Sequence, residues 1–265
     1  MKFISEITVT PIQSMGGDSQ VVAAAKVSTS GEEAAKFVDE KANYGLINYL
    51  MKHRHGTPFE HGAMTFFVHA PIFVYREWHR HRVGFSYNEE SGRYKTLDPV
   101  FWIPRADRKL VPVADPLLCE CSGILTKIEA GVKKCETCGK IYRYNNPARP
   151  YFQTISDGEH AAVVSVMKKA YTSSYKAYED MVNAGIAKEV ARAVLPVGIY
   201  SSCWVTTNPR ALMHFLSLRT HEPEAKYVSY PQAEIEEAAR VTEECLAKGW
   251  PLIYRAFCEN GRVGA

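Results

Sequence analysis

MTFFVHAPIFVYREWH, residues 64–79, contains the change of period that decides the fold class. Residues 64–70 form a short apolar run rich in aromatic and β-branched side chains, and read as a strand. Pro71 cannot donate to a sheet ladder, but it suits the first turn of a helix, where φ near −65° is wanted and the missing N–H has no partner to lose. Beyond it, Ile72, Tyr75 and His79 recur on one side at helical spacing. A strand thus runs straight into a short helix, and Gly84 and Gly92 predict that the chain leaves that helix as a loop.

The same mixture extends along the chain. Residues 33–51 place Phe37, Tyr44, Ile47 and Met51 at helical spacing, which predicts one amphipathic helix. Val163, Val166, Ala170, Ala177 and Met181 predict a long helix whose apolar stripe ends at Gly185. A short helix covers AKEVARAVL and stops before Pro196. Another begins at Asn208–Pro209, an N-cap followed by proline at N1, and a last one runs from about Ala233 to Lys248 with Gly249 as its stop. Between about 105 and 150 the texture becomes turn-rich, with little helical periodicity, and reads as an insertion. The residues alone therefore give a mixed helix-and-strand protein, one domain over 1–265 with an inserted segment at 105–150.

The 265 residues suffice for a sizeable core, and 46% hydrophobic with 23% charged residues is an ordinary globular composition. A formal charge of +3 is too small to argue for nucleic acid by itself. The start, MKFISEITVT, lacks the apolar core of a signal peptide, and the most apolar run, 64–74, is too short to span a bilayer. The expectation is a soluble, cytoplasmic protein with no membrane partner.

Four of the seven cysteines, Cys119, Cys121, Cys135 and Cys138, lie within twenty residues. C-x-C and C-x-x-C supply four thiolates, enough to close a tetrahedral, structural zinc site; reduced free thiols are the alternative. HRHGTPFEH, 53–61, offers His53, His55, His61 and Glu60, but its spacing fits no zinc signature, and loop histidines satisfying local bonds are the plainer expectation. In the helix from Asn208, Leu212, Phe215 and Leu216 share a face with Arg219 at its centre. A guanidinium there must be paired, either with a structural carboxylate or with a ligand. Arg210 and His214 fall nearer the opposite side.

EWHRHRVGFSYNEESGRY, 77–94, is dense in hydrogen-bonding groups. Arg80, His81, Arg82 and Arg93 suit phosphate or carbonyl oxygens, Ser86, Asn88 and Ser91 add neutral bonds, and the amides near Gly92 allow close approach of an anion. A solvated basic turn is the alternative. Ser91 lacks the adjacent base that a nucleophile needs.

RHR, eight residues, then Ser91 resembles the signature of the flavin-dependent thymidylate synthases. MKHRHGTPFEH, APIFVYREW, SYNEESGRY, EVARAVLP and NPRALMHFLSLR follow in that family's order, so the resemblance covers most of the chain outside 105–150. It implies an α+β fold with a curved antiparallel sheet flanked by helices, and a homotetramer with active sites shared between subunits. It implies reductive methylation of dUMP to dTMP, with 5,10-methylenetetrahydrofolate as carbon donor, FAD as hydride carrier and NADPH as reductant, and no nucleic acid as partner. Carried over by position, Ser28, His55, Thr57, Arg80, His81, Arg82, Glu89, Asn208, Arg210 and His214 would bind FAD. Glu77, Trp78, His79, Arg80, Glu89, Glu90, Ser91, Gly92, Arg93, Arg192 and Arg219 would bind dUMP. Arg219 would be catalytic, polarising the uracil. Glu77 stands where some members have glutamine, and 220–235 is longer than in compact members and is expected to cover the pocket. A zinc-containing nucleic-acid module using the cysteine lobe and the basic loop, with aromatic–basic interleaving over 140–152, and a metal-dependent hydrolase on His53, His55 and His61 are the competing classes.

Overall fold

The computed structural model describes residues 1–38, 43–113, 117–129, 132–143 and 151–265. The strands in chain order are β1 (Lys2–Ile4), β2 (Thr8–Met15), β3 (Ala63–Pro71), β4 (Phe85–Glu89), β5 (Val100–Trp102), β6 (Val111–Val113), β7 (Leu125–Glu129), β8 (Val132–Cys135), β9 (Ile141–Arg143), β10 (Tyr151–Gln153) and β11 (Tyr200–Thr207). The helices are α1 (Asp18–Ser30), α2 (Tyr44–Lys52), α3 (Ile72–Trp78), α4 (Asp157–Asn183), α5 (Lys188–Ala191), α6 (Pro209–Arg219), α7 (Ala233–Gly249) and α8 (Pro251–Glu259). Tighter turns of 3₁₀ type cover Gly31–Val38, Thr57–Glu60 and Arg192–Val194. The class is α+β. The chain divides into two compact units, Met1–Trp102 with Ser174–Ala265, and Ile103–Ser173.

The first unit is built on a four-stranded sheet of order β2-β3-β11-β4, antiparallel throughout. Along β3, Met64, Phe66, Val68 and Ala70 are buried while Phe67 and His69 are less so, the period-2 pattern of a strand with one face on the core. β11 meets it with Cys203 and Val205 buried and Trp204 exposed. β2 takes an edge, as its Pro11 requires, and its register slips between Pro11 and Gln13. The core gathers Phe66, Val68, Trp78, Leu212, Phe215, Leu216, Ile235, Trp250 and Phe257 in one cluster. Cys203 belongs to it, as a plain core residue should.

Several elements depart from the sequence expectation. The helix expected over 33–51 is a 3₁₀ segment and then α2, with 39–42 outside the described residues. Pro71 closes the strand, and α3 begins at Ile72. β1 pairs with β5 in parallel, beside the antiparallel sheet. The expected stripe of α4 is on the wrong face, since Val163 and Val166 are exposed and Tyr171, Tyr175 and Tyr178 are buried. The tyrosines recur at i, i+4 and i+7, and two of them have polar work: Tyr175 Oη donates to Leu97 O at 2.8 Å and Leu97 N donates to Tyr178 Oη at 3.3 Å. α8 was not expected at all. Pro251 opens it, and the buried Asp18 carboxylate accepts the free N–H groups of Leu252 and Ile253, each at 3.0 Å.

The second unit, Ile103–Ser173, is wider than the insertion expected over 105–150. It contains the three-stranded antiparallel sheet β7-β8-β9 and the pair β10-β6. Of 140–152, the aromatic–basic stretch that the nucleic-acid alternative adds to the cysteine lobe and the basic loop, residues 144–150 lie outside the described residues. No helix among the described residues is long and apolar enough to cross a membrane.

Candidate active site

The site begins with the capped start of α6. Asn208 Oδ1 accepts from Ala211 N at 2.8 Å and Pro209 occupies the next position, so the helix starts where the side chain can satisfy a free donor. α6 then buries Leu212, Phe215 and Leu216 and delivers Arg210 and His214 to one place and Arg219 to another. A cavity of about 460 Å³ is lined by Glu60, His81, Arg82, Val83, Gly84, Phe85, Asn208, Arg210, Ala211 and His214. Five of the residues expected to bind FAD, His81, Arg82, Asn208, Arg210 and His214, therefore line one cavity of a size that ligand sites commonly have.

The chain folds closely around this cavity. Gly84 has φ +72°, and a Cβ there would lie 2.7 Å from Ala211 Cβ and 2.9 Å from Asn208 Nδ2. Gly56 lies against Arg210, where a Cβ would come within 2.3 Å of Nε. Arg210 is held by Glu60 at 2.5 Å and by Ala265 O at 2.9 Å. The sequence offers Glu60 only as a metal ligand and gives Phe85 no role; the capped helix that fixes Arg210 is the local signal, but its carboxylate partner is 150 residues away.

At the far end of α6, Arg219 is the most constrained charge of the site. Its Nη1 donates to Glu77 Oε2 at 2.5 Å, Nη2 to Glu77 O at 3.1 Å and Nε to His81 Nε2 at 3.0 Å. Its side chain is only 15% exposed. The pairing required of a guanidinium on an apolar face is thus met by Glu77, through one carboxylate oxygen and its backbone carbonyl. A guanidinium carries five N–H groups, so two remain beyond these three bonds. His81 must be neutral to accept from Arg219. Burial, then the Arg219 charge, then His214 lower its pKa to about 4, so it is neutral at physiological pH.

A pH prediction follows from that depression. The unfolded chain takes up a proton on this ring near pH 6.5 and the folded chain only near 4, so the ring's contribution to stability is present above 6.5 and is lost as pH falls towards 4. His81→Gln keeps an acceptor without the titration. Its melting temperature is expected to fall less than that of the unsubstituted protein between pH 6.5 and 4; equal falls in scanning calorimetry would remove His81 from this role.

The remaining expected ligands gather at the other end of β4. Five residues of strand at about 3.3 Å each separate this group from the arginine–histidine turn by roughly 16 Å. Ser91 Oγ accepts from Arg93 N at 3.3 Å, and a Cβ on buried Gly92 would meet Arg192 Cδ at 3.2 Å, so Ser91, Gly92, Arg93 and Arg192 are neighbours. Arg93 Nε pairs with Glu189 Oε2 at 2.9 Å and Glu90 pairs with Lys95 at 2.7 Å. Glu189 opens the EVARAVLP motif but was given no role from it, and Lys95 lies one residue beyond SYNEESGRY. Glu89 is exposed at the end of β4, opposite Cys203.

Other expected residues are placed elsewhere. Trp78 is buried in the core, 1% exposed and stacked on Phe215 with centroids 5.0 Å apart. His79 packs against Tyr75 and Tyr87. Arg80 is exposed, and Ser28 lies on α1 with its hydroxyl on Ala25 O; neither lines the cavity. Thr57 and His55 flank Gly56, near Arg210 but also outside the lining. His53 and His55 pack on Tyr49, at 4.4 and 6.0 Å between centroids, and Glu60 serves Arg210, so the hydrolase alternative finds no ligand cluster there. Among the described residues, the cysteines supply the one group with metal-binding proximity. In the 220–235 segment, His221 Nδ1 meets Ser229 O at 2.8 Å and Ser229 Oγ donates to Leu218 O at 2.7 Å, which folds the segment back on the end of α6.

A family model described as thymidylate synthase complementing protein matches residues 11–252. The flavin-dependent thymidylate synthase of Streptomyces coelicolor is 47% identical over 261 residues, 98% of this chain and 94% of that protein. That of Thermotoga neapolitana is 33% identical over 250 residues, 94% of this chain and 90% of the relative. Among solved structures, a UMP/dUMP methylase, PolB from Streptomyces cacaoi, bound with 5-Br dUMP is 40% identical, with each chain fully covered and a TM-score of 0.80.

Proposed function

The chain belongs to the flavin-dependent thymidylate synthase family and is a methyltransferase, and on that premise we propose that it converts dUMP to dTMP with FAD as hydride carrier, 5,10-methylenetetrahydrofolate as carbon donor and NADPH as reductant. The observation that carries this is the Arg219 arrangement, in which Glu77 and His81 fix a guanidinium with two N–H groups to spare.

The residues present fit a flavin. The cavity presents Arg82, Arg210 and the neutral His81, suited to an electron-rich ring and to phosphate oxygens, and Gly56 and Gly84 admit close approach of backbone. FAD, when bound, supplies the hydride that completes the transferred methyl group. The protein's own groups do the rest. Arg219 donates to a uracil carbonyl and stabilises negative charge developing on the ring, which needs no cysteine nucleophile. Arg93, Arg192 and Ser91 receive the phosphate, and Glu189 gives up Arg93 to it. The neighbourhood of Gly92 lets phosphate oxygens reach backbone amides. A homotetramer with shared sites accounts for two ligand regions roughly 16 Å apart on one strand, each completed by a neighbouring subunit. The exposed Val83, Tyr94 and Trp204 are the apolar surface that such neighbours would cover.

Purified protein is expected to be yellow, or to become so with FAD. Its reduced flavin is expected to be reoxidised anaerobically by methylenetetrahydrofolate only when dUMP is present, with dTMP as product. Colourless protein that takes up no FAD, or reoxidation indifferent to dUMP, would sink the proposal. Because the solved relative is a UMP/dUMP methylase, UMP belongs in the same assay. Turnover of UMP would assign the broader substrate class, and its absence the deoxynucleotide alone.

A further inference from the structure

Four thiols outside the flavin cavity remain unused by this chemistry. Cys119 and Cys121 sit in the turn before β7, Cys135 ends β8, and Cys138 lies in the turn between β8 and β9. Their four Sγ atoms lie within 4.8 Å of one another, with Cys119–Cys138 and Cys121–Cys135 each at 3.5 Å. Four sulfurs around one zinc at about 2.3 Å stand about 3.8 Å apart, so this is the spacing of a shared metal. All four are free thiols.

The backbone on both sides is shaped to bring the thiols together. Ser122 has φ +65°, and its N–H donates to Cys119 O at 2.8 Å while Cys119 N donates to Gly123 O at 2.8 Å. Across the site Gly139, with φ +74°, donates to Cys135 O at 3.0 Å, and Cys138 N donates to Cys135 Sγ at 3.4 Å. A Cβ on Gly123 would lie 2.7 Å from Cys135 Sγ, so only glycine lets the two turns close. Tyr142 Oη is 2.9 Å from Cys119 Sγ, a donor well placed to orient a thiolate ligand.

The packing argues that something other than apolar burial holds these turns. Among the described residues, the buried cluster here consists of Cys119, Leu125, Cys135 and Tyr142, and two of those four are themselves thiols. So small a core cannot fix β7, β8 and β9 alone. We propose that Cys119, Cys121, Cys135 and Cys138 bind one Zn²⁺ as a closed tetrathiolate centre that keeps the 117–143 segment folded. The four thiols lose their protons on binding, and four protein ligands leave no position open for substrate, so the centre is structural.

The full chain, purified without chelator, is expected to contain about one zinc per polypeptide by elemental analysis, which is the stoichiometry four ligands require. The double variant Cys121→Ser, Cys138→Ser is expected to lose it. Stoichiometric iron in place of zinc would overturn the proposal, as would near-absent metal with four freely titrating thiols. A native mass lower by about four hydrogens, the mark of two disulfides, would overturn it as well. Should the variant fail to fold, metal analysis of the unsubstituted protein still decides. Releasing the zinc with a mercurial, read by a colorimetric zinc indicator, is expected to open new protease cuts within 103–173. An unchanged cleavage pattern after full release would refute the stabilising role. None of these readouts depends on flavin or dUMP, so the two proposals stand or fall separately.

Discussion

Arg219→Ala is expected to lower dTMP formation by at least 100- to 1,000-fold while the protein stays folded and keeps its flavin, the magnitude typical of losing one preorganised donor at developing charge. The expectation rests on where Arg219 spends its bonds. Glu77 and His81 absorb three N–H groups and hold the guanidinium still, so its remaining donors need little reorganisation when charge develops on the ring. Removing the side chain leaves Glu77 unpaired, but that carboxylate is 29% exposed and water can solvate it, so the fold should survive. Arg219→Lys retains the charge yet cannot reach the carboxylate, the carbonyl and the imidazole together, so it should recover little activity. The measurement is single-turnover product formation beside flavin absorbance and circular dichroism. Near-normal turnover in the alanine variant, with flavin and fold intact, would falsify the catalytic assignment.

Gly84→Ala should have the second-largest effect, this time on flavin retention and stability. At φ +72° an alanine is strained by about 1 kcal/mol. Its methyl would also press on Ala211 Cβ and on the amide of Asn208, whose Oδ1 caps α6. Losing such a cap costs about a further 1 kcal/mol. Because α6 positions Arg210 and His214 as well, the shift should weaken FAD binding at least tenfold, about 1.4 kcal/mol. Gly158→Ala is the control: nothing lies within 4 Å of its Cβ, so melting temperature and flavin binding should hold. Equal behaviour of the two variants in equilibrium dialysis and thermal melts would show that the Gly84 turn does not shape the cavity.

The parts of the molecule legible in the sequence were those governed by short-range physics. Asn208–Pro209 announced a capped helix because a cap and its acceptor lie three residues apart, and the structure has the bond at 2.8 Å. The strand over 64–70 followed from its apolar run, and the clustered cysteines from spacing alone. Family membership was likewise a matter of motifs in order. The face of α4 was misread because two apolar stripes compete on it, and hydropathy favoured valines over tyrosines whose hydroxyls bond Leu97. The packing of the Trp78 indole in the core is likewise not readable from its motif.

The sequence by itself determined that Arg219, on an apolar helix face, must have a partner. Only the tertiary structure decided which one, since Glu77 stands 142 residues away and reaches it through the packing of α3 against the core. The same holds for Glu60 with Arg210 and Glu189 with Arg93. Desolvation makes an unpaired buried charge costly, so local pattern can demand a counter-ion, but which carboxylate supplies it depends on how distant elements meet.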